Sequence, residues 1–160
     1  MSENECFLIC FNSQGNNIVS DNTTVAGRCN LLFNVNWGAF LPKKYKKFKC
    51  QFTFTSLIAT APAVLTEVGF VNISTGRMNV YNGLSMTNNI GFIYPYYIGA
   101  NSLYNSTNNE NNTFWMDYPL NTQVLVSLKT FTNVDMPDMP HYCLYLSLVG
   151  ILDDEIDKSN

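Results

Sequence analysis

The chain reads as an all-β protein, an antiparallel β-sandwich, and three observations carry that reading. Apolar and polar residues alternate with period two in repeated short runs. Clusters of Asn, Gly, Pro, Ser and Thr separate those runs, as in Tyr81-Asn82-Gly83 and Asn108-Asn109-Glu110-Asn111-Asn112. No heptad, internal repeat or apolar stripe of period 3.6 and helical length competes with them. Period two puts successive side chains on opposite faces of a strand, so each run offers one face to a core and one to solvent.

In chain order, Cys6-Phe7-Leu8-Ile9-Cys10-Phe11 is a short apolar run of strand length. Over 28–37, Cys29, Leu31, Phe33, Val35 and Trp37 share one face, and only Leu32 interrupts the polar one. The alternation is cleanest in Lys47-Phe48-Lys49-Cys50-Gln51-Phe52-Thr53-Phe54-Thr55. Further runs lie at 67–73, 78–81, 89–94, 113–118, 123–131 and 141–151. Eight or nine short strands with turn signals between them predict a sandwich or barrel. At 160 residues, a single jelly roll of about eight strands fits better than a seven-stranded immunoglobulin-type domain of about 100 residues. The expected organisation is one jelly-roll domain over 1–152 and an acidic C-terminal tail over 153–160.

Composition bounds the function. The chain is 46% hydrophobic and 14% aromatic but only 13% charged, with a net charge of -3 and 22 asparagines. Ordinary soluble domains carry about 25% charged residues, so neutral amides replace charge on this surface. Such a surface does little to keep copies apart and suits a chain that packs against neighbours. The charge balance gives no ground for a specific nucleic-acid partner. An acidic start before a six-residue apolar run does not resemble a secretory signal. No apolar stretch approaches the roughly 20 residues of a membrane-spanning helix, so no membrane contact is expected.

Titratable residues are sparse for an enzyme. His141, the single histidine, follows Met139-Pro140 and opens the last strand, where it needs no special role. Cys6, Cys10, Cys29, Cys50 and Cys143 form no Cys-x-x-Cys pair, so buried, reduced thiols are expected rather than zinc ligands. Mid-chain acids near strands are limited to Glu67, Glu110 and Asp117. The acids of the C-terminal end lack the closing glycine of a calcium loop. There is no glycine-rich phosphate loop. No catalytic residue, metal or cofactor is expected. Four Asn-x-Ser/Thr sequons, at Asn22, Asn72, Asn105 and Asn111, follow from the asparagine content.

Two features stand out as candidate subunit contacts. Lys43, Lys44, Lys46, Lys47 and Lys49 place five of nine basic residues in seven positions. They read either as a contact for something acidic or as a solubilising link whose lysines guard a strand edge. The acidic tail of the same chain makes a protein neighbour the favoured acidic partner. Tyr45 and Phe48 within the cluster fit core-facing positions. The second feature is the segment 90–99, with Tyr94, Tyr96 and Tyr97, extended by Trp115. It holds more apolar and aromatic surface than one strand face buries, so either both of its faces are covered within the sandwich or its tyrosines lie at an interface, where tyrosine is enriched.

The stretch Asn36-Trp37-Gly38-Ala39-Phe40-Leu41-Pro42-Lys43-Lys44-Tyr45-Lys46-Lys47-Phe48-Lys49-Cys50-Gln51-Phe52-Thr53-Phe54 runs from a strand ending in Trp through a Leu-Pro turn and a Tyr-Lys link into an alternating strand. It resembles small capsid proteins of large icosahedral double-stranded DNA viruses, the nucleocytoplasmic large DNA viruses and their relatives. Phe92-Ile93-Tyr94-Pro95, Tyr104-Asn105-Ser106-Thr107-Asn108-Asn109 and the run 142–151 extend the resemblance over about 28–151. The resemblance implies a single jelly-roll minor capsid or penton protein without enzymatic activity, found in the virion and assembled in the host cytoplasm. It further implies binding to the major capsid protein and other minor capsid proteins, or a homo-oligomer, a pentamer in the penton case. The alternative is a carbohydrate-binding, lectin-like jelly roll that uses Trp115 and the tyrosines as a sugar-stacking platform.

Overall fold

The computed structural model describes residues 4–20, 28–57, 69–74, 78–81, 86–87, 89–98, 101–106, 113–130, 134–136 and 139–152. The tail acids, Glu67, Glu110 and the side chain of Tyr97 lie outside the described residues.

The strands are β1 (Cys6–Asn12), β2 (Ile18–Ser20), β3 (Asn30–Asn34), β4 (Lys47–Ser56), β5 (Gly69–Ser74), β6 (Met78–Tyr81) and β7 (Met86–Thr87). They continue with β8 (Asn89–Ile98), β9 (Asn101–Asn105), β10 (Thr113–Asp117), β11 (Gln123–Thr130) and β12 (Tyr142–Ile151). One helical turn, α1 (Trp37–Phe40), follows β3. The expected run 28–37 therefore ends early. Trp37 is buried as anticipated, but from a helical turn whose indole Nε1 donates to the Asn121 carbonyl at 3.1 Å. Strands β2, β7 and β9 are additional to the expected set.

Every ladder is antiparallel. One sheet has the order β1-β12-β4-β10, continued by β6 and β7. The other has the order β2-β3-β11-β5-β8. The main pairs are nested: β1 with β12, β3 with β11, β4 with β10 and β5 with β8. Strand β8 belongs to both layers. Its first half pairs with β5, and its second half pairs with β9, whose Asn105 meets Thr55 of β4.

The two sheets pack face to face, and alternation decides which residues lie between them. Phe48, Cys50, Phe52 and Phe54 of β4 and Tyr142, Leu144, Leu146 and Leu148 of β12 are all buried. Val124, Val126 and Leu128 of β11 with Leu31 and Phe33 of β3 face them from the second sheet. Phe11 and Phe33 join the layers edge to face at 5.1 Å. Gly91 of β8, at a φ of +155°, lets the second sheet close on the first: a Cβ there would sit 2.4 Å from the Phe52 ring. This is an all-β sandwich with one continuous core.

Candidate functional site

The lysine cluster sits on the link from α1 to β4 and on the first turns of β4, and buried anchors hold it. Leu41 and Tyr45 are buried on either side of Pro42, Lys43 and Lys44. The Leu41 amide donates to the Trp37 carbonyl at 2.8 Å, and the Tyr45 amide donates to the Pro42 carbonyl at 3.3 Å. From the end of β10, the Tyr118 hydroxyl donates to the Leu41 carbonyl at 2.8 Å, and its amide donates to the Lys46 carbonyl at 2.9 Å. Apolar residues at 41, 45 and 48 turn inward, so the lysines between them turn outward. The expectation for Tyr45 and Phe48 holds: both rings are buried and lie 6.0 Å apart.

The five lysines do not form one patch. Lys44 turns toward the N-terminus, where its Nζ lies 3.1 Å from Glu5 Oε2 and 4.9 Å over the Tyr45 ring centroid. The Tyr45 hydroxyl donates to the same Glu5 oxygen at 2.7 Å. Those two bonds, the tyrosine's first, hold the Glu5 carboxyl below its usual range, and the bond to Glu5 pushes the Lys44 ammonium up. Lys43, Lys46 and Lys47 instead line an open cleft of about 450 Å³ with Asp117, Tyr118 and Leu120. Lys49 belongs to neither group. It points from the outer face of the first sheet, with Val149 opposite on one side and Trp115 on the other.

The edge-guarding reading of the lysines is corrected by this placement. Strand β4 is central, paired along its whole length with β12 and over five positions with β10, so Lys47 and Lys49 guard no edge. Their exposure comes from the outer face of the sheet.

Trp115 is half exposed on that outer face and adjoins Lys49 and, on its other side, Asn79. Leu8 and Tyr145 are exposed on the same face, Leu8 at 68%. Across the strands, Leu8 is level with Ser147 and Gln51, one step along from the row Cys6, Val149, Lys49 and Trp115. The face therefore carries apolar groups with few charges. Tyr94 and Tyr96 are exposed as well, but on the second half of β8, opposite Asn105 and Leu103. Asn105 meets β4 at Thr55, whereas Trp115 meets it at Lys49. Six residues of strand separate those points, about 20 Å, so Trp115 and the tyrosines do not build one platform.

The thiols depart in part from expectation. All five are thiols; Cys29 and Cys50 are buried, and burial pushes Cys50 up to about 12. Cys6 is exposed, and Cys10 and Cys143 are half-buried. The period-two pattern of β1 and β12 puts these three on the outer face, where flanking large residues only part-cover them. His141 joins a structural pair: its Nδ1 lies 3.3 Å from Ser13 Oγ, and that oxygen accepts the Tyr142 amide at 2.9 Å. The bonds fasten the end of β1 to the start of β12.

Several of these residues were not legible as partners of the lysines. Glu5, Asp117, Tyr118 and Leu120 reach the link only through strand register; an isolated acid or a Tyr-Pro pair carries no such signal. No protein-family model matches the chain, and no curated protein matches it.

Proposed function

We propose that the chain is a non-enzymatic structural subunit of an icosahedral virus shell, a single jelly-roll minor capsid or penton protein. The observation that carries this reading is the nesting of strand pairs, β1 with β12, β3 with β11, β4 with β10 and β5 with β8. A hairpin of four strand pairs rolled into two sheets is the jelly-roll pattern, an architecture used by viral capsid proteins and by lectins. The surface supports assembly over chemistry. The outer face of the first sheet presents Leu8, Tyr145 and Trp115 among few charges, and Tyr94 and Tyr96 lie exposed on the layer-joining strand. In a shell, contacts of this kind act together: each is weak, and closed symmetry repeats them. The larger partners are the major capsid protein and other minor capsid proteins, with a five-fold ring of this chain in the penton case.

The test is the mass and copy number of the protein in purified particles. Presence at fixed stoichiometry supports the reading, and about five copies per vertex selects the penton. Absence from particles overturns it. The carbohydrate-binding alternative is favoured by one observation, the half-exposed Trp115 beside the Asn79 position. Selective glycan binding that is lost in Trp115→Ala would replace the capsid reading.

A further inference from the structure

We propose that the thiols of Cys10 and Cys143 form a binding site for a soft, thiophilic monovalent cation, Cu(I), held linearly between the two sulfurs on the outer face of the first sheet. This goes beyond the assembly role and does not depend on it.

The register of β1 with β12 builds the pair. The Gly150 amide donates to the Glu5 carbonyl at 3.1 Å, and the Ser13 amide donates to the Tyr142 carbonyl at 3.0 Å. These bonds assign the odd positions of β1 to the hydrogen-bonded rungs. The even positions are then the close, non-hydrogen-bonded rungs, with Cα atoms about 4.5 Å apart. They form the outer face: Cys6 opposite Val149, Leu8 opposite Ser147, Cys10 opposite Tyr145 and Asn12 opposite Cys143. Cys10 and Cys143 therefore share a diagonal between two adjacent close rungs. The equivalent diagonal nearer the start of β1 joins Cys6 to Ser147, and there the side chains touch, Sγ to Oγ at 3.4 Å. The same strand twist turns the sulfurs of Cys10 and Cys143 toward each other. Each senses the other: burial first, and then the neighbouring Cys10 sulfur, push the Cys143 thiol up.

Distance decides what such a pair can hold. A disulfide needs about 2.05 Å between sulfurs and Cα atoms no more than about 7 Å apart. Diagonal partners have Cα atoms about 7–8 Å apart, at or beyond that limit. A linear thiolate–metal–thiolate bridge, with bonds of about 2.3 Å, spans about 4.6 Å and suits side chains that meet at contact distance. Thiolate ligands select soft ions, Cu(I) among them. Two sulfurs are too few for tetrahedral zinc, and among the described residues no group of three or more His, Cys, Asp and Glu stands together to complete that set. Cys6 is four residues along the same strand from Cys10, about 13 Å, too far to join. Both thiols of the pair are half-buried, so an ion can enter a partly dry site. Tyr145, directly opposite Cys10, hydrogen-bonds to its sulfur and fixes where it points. Binding changes no oxidation state: one Cu(I) and two thiols give a bis-thiolate complex and release two protons.

The experiment uses the full chain, reduced and under anaerobic conditions, with Cu(I) supplied as its coloured bicinchoninate complex. The wild type withdraws one Cu(I) per chain. Cys10→Ser and Cys143→Ser each weaken uptake by about 100-fold or more, since a single thiolate loses the advantage of two linked ligands, whereas Cys6→Ser leaves it unchanged. A second measurement needs no variant. Cu(I) shields Cys10 and Cys143 of the wild type from alkylation, mapped by peptide mass spectrometry, while Cys6 labels at its metal-free rate. Uptake by the wild type no greater than by the double variant Cys10→Ser, Cys143→Ser overturns the proposal, as does protection at Cys6 alone. A Cys10–Cys143 disulfide that forms readily in oxidised glutathione would also overturn it, by assigning the pair to thiol–disulfide exchange. All arms use the isolated subunit, so failure here leaves the particle test unaffected.

Discussion

Gly150→Ala is the sharpest probe of how the lysine link is anchored. Gly150 lies in β12 opposite Phe48, with its amide donating to the Glu5 carbonyl at 3.1 Å. A Cβ at this position would meet Cδ2 and Cγ of Tyr45 at 2.6 Å and Cδ1 at 2.7 Å. The three atoms belong to the body of a ring, not to a flexible tip. Ordinary carbon contact begins near 3.5 Å, so the ring must recede by about 0.9 Å. It has little room to do so: Phe7 and Phe48 flank it at 6.2 and 6.0 Å between centroids, and its hydroxyl is tied to Glu5. Overpacking of a filled site costs about 1–3 kcal/mol, and each kcal/mol moves the midpoint by about 2–4 °C at this chain length. The expected loss is therefore about 2–12 °C in thermal unfolding followed by circular dichroism. A double-mutant cycle isolates the cause. With Tyr45→Ala in place, the added methyl group has space, and the cost of Gly150→Ala falls by at least about 1 kcal/mol. Equal costs in the two backgrounds, or an unchanged midpoint for Gly150→Ala alone, would refute the assigned contact.

Three further outcomes follow from the same geometry. The fold lowers the Glu5 carboxyl below its ordinary value of 4.5, so Glu5 favours the folded state above that pH, and the benefit fades as pH falls through the lowered value. The melting difference between wild type and Glu5→Gln accordingly closes in acid; a difference that persists there counts against the Tyr45 and Lys44 bonds. Burial and the nearby Arg28 charge lower His141 below 6.5, so protonation is disfavoured in the fold and stability declines as pH drops past 6.5. His141→Asn flattens that part of the pH–melting curve, and an unaltered slope contradicts the assignment. In native alkylation mapped by peptide mass spectrometry, Cys6 reacts first, Cys10 and Cys143 follow, and Cys29 and Cys50 react only after denaturation. Early labelling of Cys50 would be inconsistent with its burial.

Where side-chain alternation is strict, strand and facing were both legible. Strand β4 alternates through its full length: its apolar positions Phe48, Cys50, Phe52 and Phe54 are all buried, and Ser56 continues the inward face as a buried polar residue. Leu32 breaks the pattern in sequence and is the one apolar residue of that run left only partly buried, on the outward side with Asn30. Alternation says nothing about elements defined by their partners. The strand Asn101–Asn105 is mostly polar and exists because β8 offers it a ladder. A single helical turn is too short to show a stripe, so Trp37 was readable as core but not as helix. The site divides the same way. The five lysines are conspicuous in sequence, yet their separation into three groups depends on residues more than 35 positions away: Glu5, Trp115, Asp117 and Val149. That Lys47 and Lys49 lie on a central strand is a property of topology, which no local pattern encodes.

The nested pairing also sets the order in which the molecule can be completed. Cys6 pairs with Val149, and β12 is wedged between the first strand and β4. An interior place in that sheet is therefore filled by β12, the last of the described strands. Pairings this distant in sequence make folding slow, since the loop entropy is spent before the contacts return it. Until β12 arrives, β1 has no described partner in the sheet and one side of β4 is bare, a template for wrong pairing with another chain. The last strand is also the one that sets Ile151 beside Lys47. The lysine cleft thus gains this neighbour only when β12 has paired, which ties the shape of that cleft to closure of the sheet.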